Sequence, residues 1–101
     1  MKKIINGRLY NTETATAVAS DSYGYPGDFS YWSETLYKKK TGELFLYGEG
    51  GPYSKYSQEH GDNSWGGGSA IIPESDFNAK EWVAGHSDAD TFIELFGPVD
   101  E

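Results

Sequence analysis

Residues 31–51, which read YWSETLYKKKTGELFLYGEGG, predict a β-hairpin around which the rest of the fold is built. Both arms, 31–38 and 43–48, are rich in aromatic and β-branched residues, which suit a pleated, half-buried surface. Gly42 lies between the arms and tolerates the positive φ that a tight turn needs. Alternation along the arms places two sets of side chains on opposite faces. On the first arm, one set is Trp32, Glu34, Leu36 and Lys38, and the other set is Tyr31, Ser33, Thr35 and Tyr37. On the second arm, Leu44 and Leu46 lie on the face opposite Phe45 and Tyr47. Neither face is purely polar, so we expect one face to pack on a core and the other to be partly covered or to bind a partner.

The segments before this hairpin predict further strands and one loop. KIINGRLY at 3–10 contains Asn6-Gly7, a strong signal for a two-residue hairpin turn. Residues 11–15 predict a turn or a helical start, followed by a strand to about Ser20. The segment DSYGYPGD at 21–28 combines glycine, proline and aspartate, and it predicts a loop.

A glycine-rich loop at 48–68 follows the central hairpin. A loop of this length is unusual in a compact domain and is often functional. Glu49 interrupts its first glycine run and Pro52 follows the run, which argues against a phosphate-binding loop and favours glycines used for tight turns and close backbone approach. We expect a short helix at 53–60. The Trp65 side chain is expected to pack into the core, with an exposed binding anchor as the open alternative. A last short strand at 70–72 ends at Pro73.

The C-terminal segment predicts two amphipathic helices. Ser75 or Asp76 caps the first helix and Ser87 or Asp88 caps the second, while Gly97-Pro98 ends the second. Apolar stripes at helical spacing are Ala79, Trp82, Val83 and His86 in the first helix, and Ala89, Phe92, Ile93 and Phe96 in the second.

The whole chain, 1–101, is therefore expected to be one α+β domain. It consists of a β-hairpin sheet region at 1–51, the glycine-rich loop, and a strand plus two helices at 70–97, with four to five short antiparallel strands under the helices.

The negative charge is concentrated in the C-terminal half. The formal net charge is −8, of which residues 1–55 contribute +1 and residues 56–101 contribute −9. Such a field repels nucleic acid and attracts basic protein surfaces, although acidity that only provides solubility is an open alternative. Lys38, Lys39 and Lys40 are expected to form a solvated hairpin tip. No apolar stretch has the length of a signal peptide or membrane span, so we expect a soluble, cytoplasmic protein.

The sequence does not carry a recognisable catalytic or metal-binding pattern. His60 and His86 are not at metal-ligand spacing, the chain has no cysteine, and its serines have no nucleophile motif. We therefore expect no catalytic residue, no metal and no cofactor.

Several segments together resemble a family of small, largely uncharacterised proteins from bacterial phages and mobile elements. The resemblance rests on ETLYKKKTGELFLYGEGG at 34–51, then SKY, NSW, a glycine run and IIP, and a tail that contains AKEWVAGH and DADTFIELFG. It covers nearly the whole chain, from INGRLYNTETA at 5–15 to FIELFG at 92–97. Anti-CRISPR proteins share this size, acidity and context, so the resemblance implies a host partner with a basic nucleic-acid-binding surface, such as a Cas effector.

The leading hypothesis is a non-enzymatic inhibitor that blocks nucleic-acid access to such an effector by acidic mimicry. It implies no direct contact with nucleic acid or with a membrane. The residues expected to bind the partner are Glu74, Asp76, Glu81, Asp88, Asp90, Glu94, Tyr53, Tyr56 and Trp65. Two alternatives stay open: a non-catalytic interaction or regulatory module of a mobile element, and a small ligand-binding enzyme that uses the loop at 48–68. The oligomeric state is also open, because an exposed hairpin edge can support a dimer.

Overall fold

The central feature of the fold is a four-stranded antiparallel sheet that carries both helices on one face. The computed structural model describes residues 1–59 and 65–100, and it confirms the expected α+β class. The strands are β1 (Lys2–Ile5), β2 (Arg8–Asn11), β3 (Thr16–Tyr23), β4 (Trp32–Lys38), β5 (Leu44–Gly50), β6 (Gln58–Glu59), β7 (Trp65–Gly66) and β8 (Gly68–Glu74), and the helices are α1 (Asp76–His86) and α2 (Ala89–Phe96). The order in the main sheet is β3-β4-β5-β8, while β1-β2 and β6-β7 are separate two-stranded sheets.

The predicted central hairpin is strands β4 and β5. Its register pairs Leu36 with Leu46, and Gly42 adopts a φ of 94° in the connecting turn. The second strand runs to Gly50, two residues beyond the predicted arm. Strand β8 is also longer than predicted and contains Pro73, which a strand at the edge of the sheet tolerates because one side of its backbone has no partner strand.

The helical face of the sheet holds the larger of two hydrophobic clusters. Its buried members are Leu36, Leu44, Leu46, Ala79, Trp82 and Val83, against which Phe92, Leu95 and Phe96 also pack. The helix caps follow the sequence, since Ser75 Oγ accepts a hydrogen bond from the Asn78 amide at 3.1 Å and Asp88 Oδ1 accepts one from Thr91 at 2.8 Å. The prediction that Ile93 faces the core is wrong: Ile93 is 43% exposed.

The N-terminal hairpin packs against part of the opposite face of the sheet. Tyr10 of β2 makes an edge contact with Phe45, on which Tyr37 stacks at a centroid distance of 5.3 Å. The Lys39 ammonium lies 3.7 Å from the centroid of the Tyr10 ring and 3.6 Å from Glu43. The expectation that all three turn lysines are solvated is therefore wrong for Lys39, whose stem and charge pack against this hairpin.

Two boundary predictions need correction. Strand β3 extends through Asp21–Tyr23 because these residues pair with β4, so the loop begins three residues later than predicted. The helix expected at 53–60 does not form over residues 53–59. Ser57 donates to the Ser54 carbonyl at 3.1 Å in a turn, and Gln58–Glu59 forms a short strand. Serine side chains favour such turns because they bond to nearby backbone. His60 and the side chain of Trp65, and with it the predicted core packing of that residue, lie outside the described part of the chain.

Within residues 1–59 and 65–100, neither helix is long and apolar enough to cross a membrane.

Candidate functional site

Two loops meet at one end of the sheet and position the polar residues of the site. The Gly51 amide donates to the Tyr31 carbonyl at 2.8 Å, and the Tyr53 amide donates to the Phe29 carbonyl, also at 2.8 Å. A Cβ atom at Gly51 would lie only 2.7 Å from the Phe29 carbonyl oxygen. The glycine run therefore allows one backbone to approach another closely, which was the role expected for it.

A buried carboxylate connects the sheet, this loop and α1. Glu34 of β4 is 1% exposed and lies on the helical face of the sheet. Trp82 Nε1 donates to its Oε1 at 3.0 Å, the Tyr56 hydroxyl donates to its Oε2, and the Lys55 ammonium lies 2.6 Å from the same oxygen. We call these four residues the Glu34 network. Every polar atom of the carboxylate has a partner, as a buried charge requires.

The protonation states within the Glu34 network follow from its geometry. Burial raises the pKa of Glu34, but hydrogen bonds from Lys55, Tyr56 and Trp82 outweigh this effect, so the pKa lies below its ordinary value. Burial, the hydrogen bond to Glu34 and the Glu34 charge all raise the pKa of Tyr56. At neutral pH the network is thus an ionised carboxylate held by a neutral phenol, an indole and an ammonium.

This geometry changes the interpretation of Tyr56. The sequence predicts that Tyr56 is a surface anchor, but the side chain is only 6% exposed and is committed to Glu34. A Cβ atom at Gly48 would overlap its ring and hydroxyl, so the glycine provides the space that Tyr56 fills. Tyr53, three residues earlier, is 74% exposed and remains available to a partner.

A groove of about 410 Å³ opens beside the Glu34 network. The residues that line it are Tyr23, Ser30, Trp32, Glu34, Tyr53, Ser54, Lys55 and His86, and we call it the aromatic groove. His86 Nδ1 lies 2.9 Å from Asp21 Oδ2, and its ring stacks on Trp82 and meets Trp32 edge to face. Ser54 Oγ donates to the Gly51 carbonyl at 2.8 Å and accepts from the Tyr56 amide, so its role is to shape the loop. Aromatic faces and charged groups therefore lie side by side in this groove.

Sequence reasoning did not find this groove. The available signal was Glu34 itself, which alternation places on the same face as Leu36 and Trp32. An acidic residue at a core position is rarely buried unless it is paired. His86 was assigned to the apolar stripe of α1, and it does contact Trp82, but its polar partner is Asp21 on β3.

The acidic residues predicted to bind a partner lie mainly on the helices. Five are exposed: Asp76, Glu81, Asp88, Asp90 and Glu94. We call them the acidic surface. Within residues 1–59 and 65–100, no ion pair includes any of the five. A hydrogen bond from Thr91 lowers the pKa of Asp88, as expected for a helix cap. Glu74, the sixth predicted residue, is half-buried near Glu34.

The position of Glu74 leads to a prediction about pH. Burial and the Glu34 charge raise the pKa of Glu74, with Lys55 partly offsetting them. A raised pKa in the folded state stabilises the fold below the unfolded-state pKa, and this contribution disappears as pH rises through the folded-state value. Glu74→Gln should therefore stabilise the protein at pH 7 by about 0.5 kcal/mol and have less effect near pH 4. Urea denaturation at both pH values measures this, with the exposed Glu94→Gln as a control. If Glu74→Gln raised the free energy of unfolding more at pH 4 than at pH 7, the pKa of Glu74 would not be raised in the folded protein.

Among residues 1–59 and 65–100, no group of three or more His, Asp or Glu side chains is placed to hold a metal ion. Comparison of the chain with protein-family models, with curated proteins and with solved structures finds no match. The groove and the acidic surface are therefore the features that bear on function.

Proposed function

We propose that this protein is a non-catalytic inhibitor that binds the basic nucleic-acid-binding surface of a host CRISPR–Cas effector and blocks nucleic-acid access. The observation that supports this function is the acidic surface. Its five exposed carboxylates lie on two adjacent helices or, for Asp88, at a helix cap, and they take part in no ion pair within residues 1–59 and 65–100. Unpaired charge of one sign raises the local attraction for an oppositely charged partner. The choice of a Cas effector rests on the resemblance to small phage and mobile-element proteins.

In this mechanism the helix carboxylates take the place of phosphates. Arginine side chains in a nucleic-acid channel bind carboxylates in the same two-bond geometry that they use for phosphate oxygens. Tyr53 is exposed and suits the role of an aromatic anchor, since tyrosine and tryptophan dominate the energetics of interfaces. Tyr56 is not part of this interface because it is buried in the Glu34 network, whereas Trp65 remains a predicted anchor.

Charge reversal on the helices tests the proposal. The tagged protein is used to capture partners from a bacterial host that carries CRISPR systems, at low and high salt, with identification by mass spectrometry. We expect a Cas effector at low salt and its loss at high salt, because exposed ion pairs are screened. Changing Glu81, Asp90 and Glu94 together to lysine should abolish capture.

A matched variant separates a specific surface from net charge. Glu13, Glu59 and Asp100 are also exposed and lie outside the two helices, so changing these three to lysine alters the net charge equally. This control should keep most of the binding. Equal loss in both triple variants, or capture of no nucleic-acid-handling protein, would contradict the proposal.

A second candidate function is an interaction or regulatory module of a mobile element whose acidity provides only solubility. It is favoured by a group of exposed aromatic side chains near the aromatic groove: Tyr23, Tyr25, Phe29 and Tyr53 are all more than half exposed, and the rings of Phe29 and Tyr53 touch edge to face. Exposed aromatic groups of this kind mark interaction sites. Capture of one partner at both salt concentrations, unaffected by charge reversal on the helices, would favour this function.

A further inference from the structure

The aromatic groove combines flat apolar walls with a charged floor. Trp32, Tyr23 and Tyr53 supply aromatic surface, and the last two are 57% and 74% exposed. Glu34 lines the groove although it is almost completely buried, so its charge acts from beneath the surface. The volume of about 410 Å³ is within the range of sites that bind small ligands or single large side chains.

The charge balance in this region is negative. Lys55 is the only lysine or arginine that lines the groove among residues 1–59 and 65–100, and its ammonium already lies 2.6 Å from Glu34. Asp21 lies beside the groove, next to His86, and adds a second carboxylate to the region. Its side chain is 37% exposed, its Oδ2 lies 2.9 Å from His86 Nδ1, and its Oδ1 accepts a hydrogen bond from the Ser22 amide at 2.8 Å. Carboxylates thus outnumber ammonium groups here, which favours a cationic ligand over an anionic one.

We infer that the aromatic groove binds an arginine side chain presented by a protein partner. A guanidinium group is planar, stacks on aromatic faces and binds carboxylates through two parallel hydrogen bonds. Trp32 and Tyr53 supply the faces, and Asp21, beside the groove next to His86, supplies a partly exposed carboxylate. The inference rests on the proposed function only in taking the partner surface as basic, and it uses none of the five residues of the acidic surface.

Short peptides test this inference without any effector. The probe is acetyl-Gly-Arg-Gly-amide, and the matched control carries citrulline, which has nearly the same shape without the charge. Binding to the full-length protein is followed by the NMR signals of the Trp32 indole and the Tyr53 ring. We expect saturable shifts with the arginine peptide and roughly tenfold weaker binding of the citrulline peptide.

Surface variants locate the binding site. Tyr53→Ala removes an exposed wall without disturbing the core and should weaken arginine binding several-fold, and Asp21→Asn should also weaken it. Tyr25→Ala is the control, since Tyr25 is 68% exposed but does not line the groove, and it should leave binding unchanged. Equal affinity for both peptides, or shifts that persist in Tyr53→Ala and Asp21→Asn, would overturn the inference.

The two proposals fail in different ways. The variant with lysine at Glu81, Asp90 and Glu94 should still bind the arginine peptide, because the groove is intact. If that variant no longer captures the effector and the wild-type protein does not bind the arginine peptide, the inferred arginine site is wrong, while the proposed role of the acidic surface is supported. If the arginine peptide binds and no effector is captured, arginine binding in the groove is supported and the proposed inhibitor function is wrong.

Discussion

Glu34→Ala should destabilise the protein by about 2–4 kcal/mol, which is a large share of the 5–15 kcal/mol typical of domain stability. The substitution leaves the Tyr56 hydroxyl and the Trp82 indole N–H buried without their acceptor, and each orphaned group costs about 1–3 kcal/mol. Lys55 contributes little to this loss, because its side chain is 63% exposed and its ammonium can turn to water. Urea denaturation at pH 7 measures the effect.

Two comparisons identify the cause. Glu34→Gln keeps an acceptor for one donor and should cost less than Glu34→Ala, whereas Glu94→Ala on the exposed face of α2 should change stability by less than about 0.5 kcal/mol. The lowered pKa of Glu34 means that its contribution is complete above the unfolded-state pKa and is lost as pH falls through the folded-state value. The difference in the free energy of unfolding between the wild-type protein and Glu34→Ala should therefore become smaller below about pH 4. If this difference in the free energy of unfolding does not change with pH, or if Glu34→Ala is as stable as the wild-type protein at pH 7, the Glu34 carboxylate does not stabilise the fold in this way.

Gly48→Ala should destabilise the fold by about 1–3 kcal/mol although it adds a single methyl group. The new Cβ would overlap the Tyr56 ring and hydroxyl. Tyr56 cannot move aside easily, because its hydroxyl is held by Glu34 and its ring is buried. The same urea experiment measures this loss, and we also expect the fluorescence of Trp82 to change as its hydrogen-bond partner shifts.

A second glycine provides the matched control. Gly85 lies inside α1, and a Cβ atom there would meet nothing within 4 Å. Gly85→Ala should stabilise the protein by about 0.5–1 kcal/mol, since alanine favours helix. If both glycine substitutions had the same sign, steric exclusion at Gly48 would not be the explanation.

The parts of the fold that the sequence predicts well are those governed by local rules. Alternation in the central hairpin correctly placed Leu44 and Leu46 on the face opposite Phe45, and cap chemistry correctly located the start of both helices. The aromatic groove could not be predicted in this way. Tyr56 lies 22 residues and Trp82 lies 48 residues beyond Glu34 in the chain, and the glycine-rich segment that carries Tyr56 has no periodicity that indicates where its side chains point. Ile93 was misplaced because spacing alone does not show which edge of a short helix faces the sheet.

The Glu34 network also has a kinetic consequence. The indole N–H of Trp82 is sealed between α1 and the sheet by a carboxylate that solvent barely reaches. Its exchange with deuterium requires α1 to separate from β4, so this one proton reports the rate at which the helical layer opens. Both the acidic surface and one wall of the groove depend on that layer. The exchange rate of this proton therefore measures how often the binding-competent arrangement of the two helices is lost.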